Sequence, residues 1–340
     1  MKERHMSGLG ISSDLSSWIS LSDLQWDALL LGNGFSINIW EGFDYRSLLG
    51  VAKQAFLNPH LHERSIGLFE RLDTCNFEDV LRVLYHAMLV DAQIGSPQDL
   101  EIQTLYENTK NSLSASISFA HVPPRFQGLE SINMALSNYK QVFTTNYDLI
   151  PYWAIMIDNH RFRDFFWSYD NSFDSKDVGV PQWATCIYYL HGAVHLVECP
   201  NGTTRKLVGG GFESLGELFD LNHPEQVPLI ITEGSSSFKY SRIKRNEYLG
   251  FCFEEFSKLS GGLVVLGHSL HPSYDQHIVD AIRQSGIQRI AIGVWPGMGG
   301  LDVIAFKARM HRENPDVRLY FFNSQTHPLA EPRLNVDGDY

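Results

Sequence analysis

The chain has 340 residues, of which 44% are hydrophobic and 19% are charged. This composition excludes a disordered, collagen-like or coiled-coil protein and allows one large core with a smaller one beside it. The net charge of −12 argues against a broad surface that grips phosphate backbones, so no direct nucleic-acid binding is expected.

The four cysteines, Cys75, Cys186, Cys199 and Cys252, lie far apart and include no C-x-x-C pair. We therefore expect neither a disulfide framework nor a structural zinc site. No apolar segment follows the first charged residues, and no run of about 18 apolar residues occurs. The sequence thus predicts a cytoplasmic protein without a signal peptide or a membrane span.

The pattern of the first 137 residues predicts an N-terminal arm, one strand and a helical insertion. Residues 1–25 begin with a region rich in Ser and Gly, which we predict to be a loose N-terminal arm. The run 28–31 is short, apolar and followed by glycine, as in a buried parallel strand. Residues 45–137 are predicted to form a helical insertion. One of its helices has an apolar stripe on one face, and Asp73 or Asn76 could cap that helix. The stripe consists of Phe77, Val80, Leu81, Leu84 and Met88.

Strand patterns resume after the insertion and alternate with helical ones, which predicts an α/β Rossmann-like parallel sheet with helices on both faces. This domain would comprise residues 26–44 and 138–330. A basic run from Lys239 to Arg245 is interpreted as a solvated helix face. The predicted strands are 141–144, 186–190, 228–232, 263–266, 289–294 and 317–322, and the predicted helices are 243–259, 274–285 and 301–312.

Polar motifs follow four of these strands. The first, Gly32-Asn33-Gly34-Phe35-Ser36, would let the backbone approach a pyrophosphate, or it is a simple tight turn. Ile37 stands where the dehydrogenase fingerprint has its third glycine, so hydride transfer is not favoured. The second motif, 144–148 (TTNYD), could bind ribose hydroxyls or orient a water, or it simply caps a helix.

The other two motifs contain histidines. His191, which Gly192 follows at a strand end, could titrate near neutral pH and act as a base, whereas His195 is expected to be a packed residue. The last motif, Leu266-Gly267-His268-Ser269-Leu270, suits a ribose or phosphate, or forms a plain turn.

The order of the motifs resembles the sirtuin (SIR2) catalytic core over about 29–270, with the insertion left out. Sirtuins carry G-A-G-x-S, then T-Q-N-I-D, H-G and G-T-S-L. The matching residues here are Gly32, Gly34 and Ser36; Asn146 and Asp148; His191 and Gly192; and Gly267, Ser269 and Leu270.

The departures from the sirtuin pattern concern the deacylases. Their zinc ribbon of two C-x-x-C pairs and their G-I-P-D-F-R stretch are both missing, which puts deacylation in doubt. The chain resembles instead the SIR2-like NAD hydrolases of bacterial antiviral defence, and more narrowly the SIR2 partner of HerA-type ATPases. The narrower resemblance rests on 76–81 (NFEDVL), on 232–234 (TEG) with Lys239, and on 267–270 with Asp275 and His277.

The resemblance implies NAD as the substrate, His191 as the base, Asn146 orienting a water or the ribose, and Asp148 supporting Asn146 or the ribose hydroxyls. Because the C-x-x-C pairs are missing, no zinc or other metal is expected. It also implies a homo-oligomer and a HerA-like ATPase partner. An NAD-dependent deacylase or ADP-ribosyltransferase, and a non-catalytic NAD or ADP-ribose sensor, remain alternatives. Gly32, Asn33, Gly34, Ser36, Thr145, Gly267, Ser269 and Asp275 are the expected NAD-binding residues; Glu233 and the glycine loop 208–212 are candidates for a pocket lip and a lid.

Overall fold

The computed structural model describes residues 11–94, 99–120, 126–199, 201–208, 228–232 and 235–336. Glu233, Gly234 and residues 209–212 of the predicted lid lie outside the described residues. The helices are α1 (Asn33–Ile39), α2 (Tyr45–Ala52), α3 (Glu63–Arg71), α4 (Phe77–Ile94), α5 (Asp99–Phe119), α6 (Leu129–Leu136), α7 (Ile150–Ile157), α8 (Ser236–Arg245), α9 (Glu247–Ser257), α10 (Pro272–Gln284) and α11 (Gly300–Glu313). The strands are β1 (Ala28–Leu31), β2 (Gln141–Thr144), β3 (Phe162–Arg163), β4 (Thr185–Tyr189), β5 (Gly192–Glu198), β6 (Thr204–Lys206), β7 (Pro228–Ile230), β8 (Ser260–Leu266), β9 (Gly286–Val294) and β10 (Arg318–Asn323). Among these helices, none has the length and apolar character needed to cross a membrane.

The centre of the described part is a seven-stranded sheet in the order β10-β9-β8-β1-β2-β4-β3. Every pairing in it is parallel, which confirms the predicted α/β Rossmann-like fold. All four residues of β1 are buried, because strands β2 and β8 flank it and helices cover the sheet. The continuous apolar run of this strand is therefore the signature of its central position.

The predicted insertion is helical, since α2 to α6 all lie between β1 and β2. On α4, Phe77, Val80, Leu81 and Leu84 are buried, as the apolar stripe predicted, whereas Met88, the last residue of that stripe, is only half-buried. Asn76 caps this helix by accepting a hydrogen bond from the Glu78 backbone N–H at 2.9 Å. Asp73, the other candidate cap, lies in the turn before it with a positive φ of 49°.

Part of the predicted N-terminal arm packs on the sheet. The Ser16 backbone N–H donates to the Phe321 carbonyl at 3.1 Å and its carbonyl accepts from Asn323 at 2.9 Å. The indole of Trp18 lies 5.0 Å from the Phe322 ring between centroids. The expectation of a loose arm is therefore wrong for this stretch, because Trp18 and the edge of β10 hold it.

A second, three-stranded sheet in the order β6-β5-β7 corrects the prediction for residues 228–232. This segment forms β7, which pairs antiparallel with β5 and not with the main sheet. The turn from β4 into β5 depends on Gly192, whose φ is +76° and whose absent Cβ would overlap the Leu229 carbonyl. The sequence suggested only a strand end at this glycine, so β5 and β6 were missed.

The predicted helix 243–259 is also corrected, because two helices, α8 and α9, meet at Asn246. Asn246 has extended dihedral angles, and its side chain accepts a hydrogen bond from the Leu249 backbone N–H. The apolar periodicity continues through the helix cap at Asn246, so periodicity alone predicts one helix where the chain forms two.

Replacement of Gly267 by Ala should strongly destabilise the fold. Gly267 has φ +70°, and a Cβ there would overlap the backbone nitrogen of Phe35 and lie 2.7 Å from the Gly34 carbonyl carbon. Strain and overpacking together predict a loss of at least about 2 kcal/mol in the free energy of unfolding, measured by urea denaturation.

The matched control is Gly50→Ala, because this glycine lies within α2 and a Cβ added to it meets nothing within 4 Å. Helix propensity predicts a gain of about 0.5–1 kcal/mol for this variant. Equal stability of the Gly267→Ala variant and the wild type would contradict the close backbone packing at that turn.

Candidate functional site

A cavity of about 270 Å³ opens where the carboxyl ends of the central strands face the helical insertion. Polar residues that follow β1, β2, β4 and β8 form its floor, and α2, α4 and α5 form its opposite wall. This is the edge at which open parallel sheets bind ligands. The residues from the strand ends are Asn33, Thr145, Asn146, Tyr147, Asp148, His191, Gly267, His268 and Ser269, and those from the insertion include Tyr45, Leu48, Asn76, Glu78, Leu113 and Ile117.

The glycines of the first motif serve the packing of two turns. A Cβ on Gly32 would lie 2.6 Å from the Gly267 carbonyl oxygen, and one on Gly34 would lie 2.9 Å from the Gly267 Cα. The Gly34 backbone N–H also donates to the Gly267 carbonyl at 2.9 Å. Gly32, Gly34 and Ser36 are not among the residues that line the cavity. They support it from behind, while Asn33 between them faces it.

Ser36, Asn146 and Asp148 form one buried hydrogen-bond network. The Ser36 hydroxyl donates to Asp148 Oδ2 at 2.5 Å, and the Ile150 backbone N–H donates to Asp148 Oδ1 at 2.9 Å. Asn146 Nδ2 donates to Ser36 Oγ at 2.7 Å and to the Gly32 carbonyl at 3.0 Å. Burial raises the pKa of Asp148 against the lowering effect of these donors.

This network fixes the orientation of the Asn146 amide. The Gly32 carbonyl can only accept, so the nitrogen of the amide must face it. Asn146 Oδ1 is then buried without a hydrogen-bond partner among the described residues. A buried amide oxygen without a donor costs about 1–3 kcal/mol, which a ligand hydroxyl or a water could offset.

His191 lies at the base of the cavity, where its side chain is almost fully buried. Its Nε2 is 3.0 Å from Nε2 of His277, and Ser236 Oγ lies 2.8 Å from Nδ1 of His277. Burial, followed by the nearby ammonium of Lys239, lowers the pKa of His191 well below its usual value. The ring is therefore neutral at physiological pH and carries a lone pair for a proton.

Lys239 joins the insertion to the sheet domain through a buried ion group. Its Nζ lies 2.8 Å from Glu78 Oε1 on α4 and 3.2 Å from Asp275 Oδ1 on α10. Burial alone would lower the pKa of Lys239, but the two carboxylates outweigh it and raise the pKa above its usual value. The side chain is only 1% exposed, so the interpretation of its basic run as a solvated face is wrong at this position.

The remaining predicted binding residues reach the cavity in different ways. The Thr145 hydroxyl donates to the Leu31 carbonyl at 3.3 Å, and the Ser269 carbonyl accepts from Arg309 Nη2 at 2.8 Å. His268 Nε2 lies 3.7 Å from Asp275 Oδ2. The structure thus brings Asn33, Thr145, Asn146, Asp148, His191, Gly267, Ser269 and Asp275 around one cavity.

His195, expected to be a packed residue, is buried between aromatic rings. Its ring centroid lies 4.8 Å from that of Tyr152 and 4.9 Å from that of Tyr189. It does not line the cavity of His191, although only four positions separate the two histidines.

Among the described residues, one group has the donor geometry of a metal site. The ligand atoms of His191, Asp275 and His277 all lie within 4.8 Å of one another. Two imidazoles and a carboxylate are a common ligand set for divalent transition metals. The sequence predicted no metal, but that prediction rested on the absence of C-x-x-C pairs and did not consider a site built from histidines and a carboxylate.

The chain matches one protein family over residues 29–329, the family described as Domain of unknown function (DUF4917). The chain belongs to this family. The match includes both the sheet domain and the helical insertion, so the cavity lies wholly within the family's domain. None of the curated proteins matches the chain.

Replacement of Lys239 by Met should destabilise the fold severely. It leaves the carboxylates of Glu78 and Asp275 buried without their cation, for which a loss of about 3–5 kcal/mol in the free energy of unfolding is expected. Urea denaturation followed by circular dichroism measures it.

Lys258→Met is the matched control, because that lysine is 58% exposed and forms ion pairs with Glu254 and Glu255 of its own helix. The Lys258→Met variant should lose less than about 1 kcal/mol in its free energy of unfolding. Equal effects of the two replacements would show that the buried ion group does not fasten the insertion.

Proposed function

We propose that the chain is an NAD glycohydrolase, which breaks the bond between nicotinamide and ribose and transfers the ADP-ribosyl group to water. The products would be nicotinamide, ADP-ribose and one proton. Two lines of argument support this proposal. Each of the four motifs that resemble those of the SIR2 family contributes at least one residue to a single cavity, and the groups there are suited to N-glycosidic bond cleavage.

The observation that carries the proposal is the free Oδ1 of Asn146. It is a fixed, buried acceptor on a residue that lines the cavity, and His191 lines the same cavity. A ribose hydroxyl or the attacking water could donate to this oxygen and be held in position. Asp148 would act through Ser36, because its carboxylate orients the hydroxyl that accepts from Asn146. Such preorganisation lowers the entropy cost of reaching the transition state.

His191 is proposed as the base. The reaction passes through a ribose with oxocarbenium character, and water attacks C1′ while the glycosidic electron pair leaves with neutral nicotinamide. A neutral imidazole has a lone pair for the proton of that water or of a ribose hydroxyl. Burial lowers the pKa of His191 and opposes this step, so the imidazolium would have to be stabilised by the Asp275 carboxylate, 4.0 Å from Nε2. The carboxylates of Glu78 and Asp275 flank the Lys239 ammonium in the same cavity, and the one net negative charge of this group would stabilise the developing positive charge.

NAD binding is assigned to the residues at the strand ends. Asn33, Thr145, Gly267 and Ser269 line the cavity and offer amide, hydroxyl and backbone groups for the riboses and the pyrophosphate. Gly32, Gly34 and Ser36 would shape this surface indirectly, through the turn that packs on Gly267. Asp275 is proposed to contact a ribose hydroxyl.

The biological setting is proposed from the resemblance to SIR2-like defence proteins. The chain would act in the cytoplasm as an NAD-depleting effector against phage infection. Because unregulated NAD hydrolysis is toxic, we propose control through a homo-oligomer or a HerA-like ATPase partner. The helical insertion, which forms one wall of the cavity, is the proposed route by which such partners act.

His191→Ala and Asn146→Ala should each lower the rate of nicotinamide release by about 10²–10⁴-fold, because the first removes the base and the second the positioning oxygen. Release is followed by chromatography, with the chain alone and with a co-encoded ATPase. NAD affinity of the His191→Ala variant should change little. His86→Ala, at an exposed site on α4, is the control and should keep the wild-type rate.

Three results would contradict the proposal. Full cleavage by either site variant would remove that residue from the mechanism. Cleavage only when an acyl-lysine peptide or another acceptor is present would indicate a deacylase or a transferase. Tight NAD binding without nicotinamide release, in every assembly state, would indicate a sensor.

A further inference from the structure

We infer that His191, Asp275 and His277 form a binding site for a divalent transition-metal ion, with Zn²⁺ as the best match, and that the bound ion suppresses NAD cleavage. The binding site stands on geometry alone. The suppression rests on the proposed function, because it follows from the occupation of His191 by the ion.

The two imidazoles face each other with their Nε2 atoms 3.0 Å apart. In a tetrahedral zinc site with Zn–N bonds of about 2.0–2.1 Å, two nitrogen ligands lie about 3.3 Å apart. Asp275 Oδ1 lies 4.0 Å from His191 Nε2. Small side-chain rotations are therefore enough to bring all three atoms into coordination distance of one ion.

The three ligand groups can reach the protonation state that metals require. Each neutral imidazole offers one lone pair, so coordination through both Nε2 atoms requires the proton in their 3.0 Å contact to move to Nδ1. The Asp275 carboxylate accepts a hydrogen bond from the Lys239 ammonium at 3.2 Å, which favours its charged form. The carboxylate is thus anionic.

The surrounding groups orient the ligands as in protein metal sites. Ser236 Oγ lies 2.8 Å from Nδ1 of His277, so a proton on Nδ1 leaves the lone pair of Nε2 directed at the site. Lys239 donates to Asp275 at 3.2 Å and Glu78 balances its charge at 2.8 Å. Helix α10 has non-helical dihedral angles at Asp275 (φ −133°, ψ 35°), two positions before His277.

The position of the group explains why a bound ion would inhibit. His191 and Asp275 line the cavity, so the ion would stand beside the substrate with an open coordination position toward it. Coordination withdraws the His191 lone pair and places two positive charges where the ribose becomes cationic. Both effects oppose cleavage of the nicotinamide bond, so the ion-bound and the active states would exclude each other.

The test uses the full chain after treatment with a chelator. Co²⁺ binding is followed by its visible absorption, and Zn²⁺ is then added to displace it. The wild type should bind one ion per chain. His277→Gln and Asp275→Asn each remove one of three ligands and should weaken binding by more than about tenfold, and Ser236→Ala should weaken it by about 10–100-fold.

His86→Gln, at an exposed site on α4, is the control and should bind as the wild type does. Circular dichroism checks that each variant is folded, and Ser236→Ala keeps the test decisive if a ligand variant is not. Absence of binding by the wild type, or wild-type affinity in the Ser236→Ala variant and in every folded ligand variant, would overturn the site.

Nicotinamide release is then measured with and without one equivalent of Zn²⁺. Loss of activity on adding zinc is expected, with recovery when the chelator is restored. Unchanged or faster release with the ion bound would overturn the suppression. Absence of release under both conditions would count against the proposed function, whereas the Co²⁺ titration would still decide whether the site exists.

Discussion

The structure depends on the parallel pairing of β1 with a strand on each side. Leu31 at the end of β1 is in register with Thr144 at the end of β2 and with Leu266 at the end of β8. Three polar turns therefore start at the same level, and β4 adds a fourth through its pairing of Thr144 with Tyr189. Residues more than 200 positions apart in sequence meet because backbone hydrogen bonds align these strand ends.

The helical insertion closes the cavity on the side opposite the strand ends of the sheet. Glu78 on α4 reaches Lys239 on α8, which in turn reaches Asp275 on α10. Because this ion group is buried, its charges must stay paired, and the insertion is held against the strand ends. The sheet domain and the insertion therefore both line the cavity. A change in the packing of α4 would alter the cavity and the ion group together.

Much of the fold could be predicted because its signals are local. Strand β1 has a continuous apolar run and α4 has an apolar stripe, and both patterns follow directly from burial. The small sheet escaped prediction, because β5 begins at a glycine that looks like a strand end and β7 pairs with it from more than 30 positions away. The division of 243–259 into two helices was not predicted either. Asn246 caps the second helix, but the apolar periodicity continues across it.

The candidate site was predictable to the extent that strand ends meet at one edge of a parallel sheet. That rule placed Asn146 and His191 together, whereas it gave no indication of their hydrogen-bond partners. His277 and Lys239 reach the site from helices, and their positions depend on side-chain contacts with residues far away in sequence. Only three-dimensional packing distinguishes Lys239 from the solvated basic residues beside it.

The two borders of the main sheet limit how copies of this chain can associate. Ser16 hydrogen-bonds along β10 at one border, and β3 at the other border is two residues long. Neither border offers the long free row of backbone donors and acceptors that invites a strand from another molecule. Among the described residues, extension of the main sheet across subunits is thus disfavoured, and assembly would have to use other surfaces of the chain.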